Sequence, residues 1–217
     1  MPPDHGQEPY FSAAPAYICL MPRSPRLQSG STDLFGTPDP GPPGFLYEGD
    51  FASVEEEQQL VARFATLPLQ PFQFFGHLGN RRVTWFGERY DYGDGKIHHA
   101  DPLPSWLEPL KLRAALLAKI DSRALCQALV TEYTPGAGIG WHRDRPVYED
   151  VIGISFLSTC TMRLRRPQEK GWTRKNVELA PRSAYLFRGE VRNDWEHSIA
   201  PMPSLRYSIT FRSVRAA

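Results

Sequence analysis

Hydrophobic and polar positions follow three regimes along the chain. Residues 1–43 have no period at all. The stretch "RSPRLQSGSTDLFGTPDPGPPGF" is rich in Pro, Gly and Ser. Such a segment buries too little apolar surface to offset its ordering entropy. It predicts a disordered tail over 1–43 and a single folded domain over 44–217. The second regime is helical. "SVEEEQQLVARFATL" (Ser53 to Leu67) opens with a serine N-cap and a glutamate three residues on. Leu60, Val61 and Phe64 then recur at helical spacing, which predicts an amphipathic helix. "WLEPLKLRAALLAKI" (Trp106 to Ile120) predicts a second. Between them, the aromatic and basic run "NRRVTWFGERYDYGDG" predicts short strands and turns.

The third regime begins near residue 126. "QALVTEY", "IGWHRD", "VIGISFL", "TMRLRR", "VELA", "SAYLFRG", "EHSIAP" and "RYSITFRSV" are short runs bounded by Gly, Pro or charge. That pattern predicts strands of a sandwich or barrel. The chain therefore reads as a helical layer followed by a β core.

Composition changes this picture little. Lys+Arg 25 against Asp+Glu 24 gives a net charge of +1. Nucleic acid stays open as a partner, because a local basic patch suffices to bind it. Cys19, Cys126 and Cys160 are odd in number, widely spaced and without a CxxC. This argues against a disulfide framework and against a thiolate zinc site. No apolar run reaches membrane-spanning length, and the N-terminus lacks the order of a secretory signal. The expectation is a cytoplasmic monomer with no membrane association.

Chemistry enters at "GWHRDRP". His142 and Asp144 stand two apart, so on a strand both face the same way. The pair alone fits either a metal site or a solvated turn. His197 in "NDWEHSIAP" adds a second imidazole, and its bland reading is a core histidine. Two histidines and a carboxylate with open positions match the facial triad of non-haem iron enzymes. "RYSITFR" then alternates strictly. Arg206, Ser208, Thr210 and Arg212 share one face; Tyr207, Ile209 and Phe211 share the other. If the apolar face meets the helices, two guanidinium groups point inward and need an anion. The alternative is an edge strand with a solvated charged face.

Together these motifs resemble the AlkB family of Fe(II)/2-oxoglutarate-dependent dioxygenases. His142-Arg143-Asp144, the distal His197 and Arg206-Tyr207-Ser208-Ile209-Thr210-Phe211-Arg212 carry the likeness, with "EYTPGAGIGWHRD" before them. It covers roughly residues 44 to 213. The resemblance implies an α+β fold: a double-stranded β-helix (jelly-roll) core, N-terminal helices on the major sheet and an aromatic substrate flap. It implies Fe(II), 2-oxoglutarate and O2, with His142, Asp144 and His197 as metal ligands. It implies that Arg206 pairs with the distal carboxylate of the co-substrate and that Tyr133 assists. Arg212 is implied at the metal-chelating end, in a catalytic role, with Thr210 on the same face. Two residues depart from the family pattern. Ser208 stands where asparagine is usual and Thr131 where some members carry one, each exchanging an amide for a hydroxyl.

The resemblance further implies oxidative demethylation of N-alkylated bases in DNA or RNA. "RRVTWFGERYDYG" is similar to the family's flap. Trp85, Phe86, Tyr90 and Tyr92 are candidate stacking groups, and Arg81 and Arg82 candidate phosphate contacts; packing under the helices is the alternative for the rings. Arg163 and Arg165 in "RLRRPQEKGWTRK" suggest a phosphate-tracking rim, or else a solvated face. Pro146 occupies the position where some DNA-repair members carry an acidic reader, which leaves Glu149 nearby. Trp141, turned away from His142 by strand alternation, is expected in the core. The same chemistry on a protein or small molecule, and a non-catalytic binding module, are the competing readings. "TDLFG" (Thr32 to Gly36) partly resembles a sliding-clamp docking peptide; an apolar pair anchoring the tail to its own domain is the plainer account.

Overall fold

The computed structural model describes residues 41–215 except Phe75, Gly76 and Tyr92. The predicted tail, with its "TDLFG" segment, lies almost wholly outside the described residues. In chain order come β1 (Phe45–Glu48), α1 (Val54–Phe64), β2 (Gln70–Phe74), β3 (His77–Tyr90) and β4 (Ile97–His99). Then follow α2 (Glu108–Ala118), β5 (Leu125–Tyr133), β6 (Ile139–His142), β7 (Tyr148–Phe156) and β8 (Cys160–Pro167). β9 (Trp172–Leu179), β10 (Ala184–Phe187), α3 (Gly189–Asn193), β11 (Glu196–Ile199) and β12 (Arg206–Val214) complete the fold.

Both predicted helices form. Ser53 caps α1 by accepting from the backbone N–H of Glu56 at 3.1 Å. The box is only half closed, because the Glu56 carboxylate turns instead to Arg113 on α2. α2 begins later than predicted, behind a 3-10 turn at Ser105–Leu107, with a proline in its first turn.

The eight predicted strands are β5 to β12. β1 to β4 add to them, giving two antiparallel sheets. The larger runs β1-β10-β7-β12-β5-β3-β2, with β4 on the far end of β3; the smaller runs β6-β11-β8-β9. The run read as short strands and turns is mostly one long strand, β3. Gly87 breaks its regularity: its φ is +78°, and a Cβ there would lie 2.1 Å from the Cys126 carbonyl oxygen.

The helices cover one face of the larger sheet. Leu60 and Phe64 of α1, and Leu110, Ala114 and Ala118 of α2, join Val130, Ile154, Phe156, Tyr207, Ile209 and Phe211 in one core. Phe64 meets Phe156 edge-on at 5.5 Å and Tyr207 at 5.8 Å. A second core, with Met162, Leu164, Leu179, Phe187 and Ile199, fills the space between the sheets. This is a jelly-roll with its helices on the larger sheet, as the resemblance implied. Among the described residues no helix is long and apolar enough to cross a membrane.

Candidate active site

The space between the sheets stays open at one end as a cavity of about 490 Å³. β12 supplies its floor. The register pairs Arg206 with Tyr133, Ser208 with Thr131 and Arg212 with Gln127 across to β5, and Ser208 with Ser155 across to β7. Strand alternation therefore lays Arg206, Ser208, Thr210 and Arg212 beside Gln127, Thr131 and Tyr133, all of them lining the cavity.

Arg206 is 1% exposed. One Nη donates to Ser155 Oγ at 2.6 Å, and the guanidinium lies 4.8 Å from the centre of the Tyr133 ring. Its Nε and other Nη are buried with no hydrogen-bond partner among the described residues. Leaving such donors unsatisfied is costly. The arrangement therefore suits an anion entering the cavity.

His142 and His197 are direct partners across β6 and β11, with ring centres 4.2 Å apart. His142 Nδ1 lies 2.9 Å from the Gly140 carbonyl oxygen. Donating there leaves Nε2 with its lone pair free for a ligand. Burial holds His142 below the usual histidine range and, with His142 beside it, takes His197 down to about 3. Both rings are therefore neutral and ready to coordinate. For Asp144, burial works to raise the carboxyl, but Arg212, then His197 and His142, pull it well below the usual carboxylate range. Arg212 donates to Asp144 Oδ1 through Nε at 3.1 Å and Nη2 at 2.9 Å, and to Gln127 Oε1 through Nη1 at 2.8 Å. Oδ2 faces His197 Nε2 at 3.7 Å. Among the described residues no three His, Cys, Asp or Glu side chains are already grouped closely enough to hold an ion. The donor chemistry nevertheless fits one: two neutral imidazoles, an ionised carboxylate and a neighbouring anion-seeking guanidinium suit a divalent iron with a dicarboxylate.

At the mouth, the inward residues Arg81, Trp85 and Tyr90 line the cavity. Trp85 and Tyr90 are five apart, an odd spacing that regular alternation forbids; the Gly87 turn lies between them. Arg145 stacks on Tyr90 at 5.1 Å and Arg89 on Trp85 at 5.7 Å.

Other expected residues do not line the cavity. Arg82 points to the helix side and grips Glu132 with two bonds, at 2.7 and 2.9 Å. Phe86 is 7% exposed and belongs to the helix-side core. Glu149 pairs at the surface with Arg215. Arg163 and Arg165 lie on the outer face of the smaller sheet, where Arg163 donates to Ser198 and Arg165 to Glu196. Arg165 is also sandwiched between Trp141 at 4.3 Å and Trp172 at 4.1 Å. Trp141, expected in the core, is instead half-buried under these arginines, and unlike them it does line the cavity. Tyr92 lies outside the described residues.

Several lining residues escaped the sequence reading. Gln127 was legible, since it sits two and three alternations from Thr131 and Tyr133 on a recognised strand. Tyr148, Arg143, Arg145 and Tyr185 also line the cavity. Arg192 of α3, 4% exposed, donates to the carbonyls of Tyr148 (2.8 Å) and Arg145 and so holds the loop after Asp144. No local spacing signals these contacts.

Comparison with known proteins agrees with this geometry. The profile of the 2OG-Fe(II) oxygenase superfamily matches residues 50–212. The chain is 30% identical over 209 residues to the alkylated DNA repair protein ALKBH8 homolog of Arabidopsis thaliana, covering 80% of this chain and 59% of that protein. It is 31% identical over 185 residues to the uncharacterized protein L905 of Acanthamoeba polyphaga mimivirus, covering 79% and 85%. The solved structure of OsALKBH1 superposes with a TM-score of 0.61 at 14% identity, over 79% of this chain and 97% of that one. The chain belongs to the 2OG-Fe(II) oxygenase superfamily and is thus a dioxygenase that uses Fe(II), 2-oxoglutarate and O2; within that superfamily it is similar to AlkB-type proteins, and it spans little more than half the length of the Arabidopsis relative.

Proposed function

From that membership we propose that the enzyme removes methyl groups from alkylated bases in DNA or RNA, in the manner of alkylation-damage repair. One observation carries the reading: a single cavity joins a buried, anion-seeking guanidinium at one end to an aromatic and cationic mouth at the other. The relative in Arabidopsis thaliana is named as an alkylated DNA repair protein, which points the same way.

His142 through Nε2, Asp144 and His197 would hold the iron. With 2-oxoglutarate and O2 the metal supplies the oxidation, in which the co-substrate becomes succinate and carbon dioxide and a substrate C–H becomes C–OH. A hydroxylated N-methyl group then breaks down to formaldehyde and the free base. Arg206 receives the distal carboxylate on its two unpartnered donors, while Tyr133, Thr131, Ser208 and Thr210 line its path. Arg212 keeps Asp144 ionised and oriented. Trp85 and Tyr90 receive the base on their faces, and Arg81, Arg143 and Arg145 lie where the backbone phosphates would pass. The free thiols Cys126 and Cys160 suit a reducing cytoplasm.

The test is release of succinate and formaldehyde from Fe(II)-loaded protein given 2-oxoglutarate and methylated oligonucleotides. His142→Ala should abolish both products. Trp85→Ala should lower kcat/KM on the oligonucleotide by about 10- to 100-fold, the size of a lost base-stacking contact. Succinate without formaldehyde, unchanged by any oligonucleotide, would move the target to a protein or small molecule and overturn the nucleic-acid reading.

A further inference from the structure

β10 sends its side chains alternately to the two faces of the larger sheet. Ala184 and Leu186 join the helix-side core, while Tyr185 and Phe187 turn toward the space between the sheets. Tyr185 lies across from Gly153 of β7, and Gly153 in turn lies across from Thr210 of β12. A Cβ on Gly153 would stand 2.3 Å from Tyr185 Cε1 and Cζ and 2.5 Å from its hydroxyl oxygen. The phenol therefore rests in space that exists only because residue 153 has no side chain. From there, over β7 and on the side of β7 next to β12, it lines the cavity.

Its surroundings are those of the co-substrate pocket. Asp144, Tyr133, Arg212 and Arg206 line the same cavity as the phenol. No hydrogen bond joins its hydroxyl to another described residue. Burial, then Asp144 and Tyr133, pushes the phenol above its ordinary range, so it keeps its proton. A protonated hydroxyl with an open donor, facing the cavity that Arg206 and Arg212 also line, is a neutral hydrogen-bond donor to an anion. The strand order β10-β7-β12-β5 puts it on the other side of β12 from Tyr133.

We propose that Tyr185 is a further co-substrate-binding residue, whose hydroxyl donates a hydrogen bond to 2-oxoglutarate, with Gly153 as the gap that admits it. This rests on the reading that Arg206 anchors 2-oxoglutarate here. It adds a donor to a pocket in which Ser208 and Thr131 present only hydroxyls.

The experiment is calorimetric titration of 2-oxoglutarate, without oxygen, into the Fe(II)-loaded protein and its Tyr185→Phe variant. Separate titrations give the Fe(II) affinity, and urea unfolding without 2-oxoglutarate gives stability. Tyr185→Phe keeps the ring and removes one oxygen. The Kd for 2-oxoglutarate should rise about tenfold or more, as expected for a lost hydrogen bond to a charged acceptor. Fe(II) affinity and the urea midpoint should hold. An unchanged Kd for 2-oxoglutarate overturns the assignment. So does a loss confined to Fe(II) affinity, which would make the phenol a support for Asp144. If the unaltered protein fails to bind 2-oxoglutarate, the parent reading falls with it; if that protein binds and the variant binds equally, only the role of Tyr185 falls.

Discussion

On the helix side of β12, Tyr207, Ile209 and Phe211 are at most 3% exposed and pack against Phe64, Phe156 and their neighbours. On the cavity side of the same strand, Arg206, Ser208 and Thr210 are nearly as deep, at 1%, 6% and 8%. Yet these are polar, and among the described residues Arg206 keeps two donors without a partner. One face completes its contacts within the chain. The other leaves contacts for a ligand to complete. Equal burial along one strand therefore serves stability on one side and binding on the other.

The sharpest way to break that contrast is Arg206→Leu. Affinity for 2-oxoglutarate should fall at least about 100-fold, since truncating one partner of a buried charge pair costs roughly 3–5 kcal/mol. The urea midpoint without 2-oxoglutarate should stay or rise, because a guanidinium with unpaired buried donors gives way to an apolar side chain. Calorimetry and urea unfolding together read both; a large fall in the midpoint would show that the cavity face also holds the fold.

Phe211→Ala, one residue from Arg212 but on the opposite face, should do the reverse. Removing a fully buried ring costs about 3–5 kcal/mol of stability. The folded fraction should still bind 2-oxoglutarate with unchanged affinity, measured by calorimetry at low temperature. A matching loss of affinity would mean that the two faces are not separable.

The smallest effect sharpens the helix side. Arg82, with half of its side chain exposed, holds Glu132, which also accepts from Tyr207 at 2.8 Å. Arg82, first of all, lowers the Glu132 carboxyl from 4.5. Its folded value thus lies below its unfolded one. The stabilisation is present above pH 4.5 and is lost as pH falls through the folded value. Arg82→Gln should cost about 1 kcal/mol at neutral pH, after allowance for solvent screening. The gap from the unaltered protein should close in urea titrations carried below pH 4.5.

What the sequence by itself determined is local and periodic. The helices at Ser53 and Trp106, the eight later strands, and the common face of Arg206, Ser208, Thr210 and Arg212 all follow from spacings of two to four residues, whereas β6 ends at His142, so Asp144 reaches the cavity from the loop beyond it. Backbone geometry alone converts such spacings into faces. Only the tertiary structure decided which charges meet a ligand and which meet each other. Arg82 finds Glu132 across 50 positions, Arg165 finds Glu196 across 31 and Glu149 finds Arg215 across 66. No window on the chain contains both partners. The same holds for Tyr185, whose place depends on a missing side chain at Gly153, 32 positions earlier on another strand. Within β3, alternation sends Trp85 to the cavity and Phe86 to the core, and a single left-handed residue at Gly87 then brings Tyr90, five positions after Trp85, to the cavity as well. Pattern names the faces; strand pairing over long separations decides what stands opposite them.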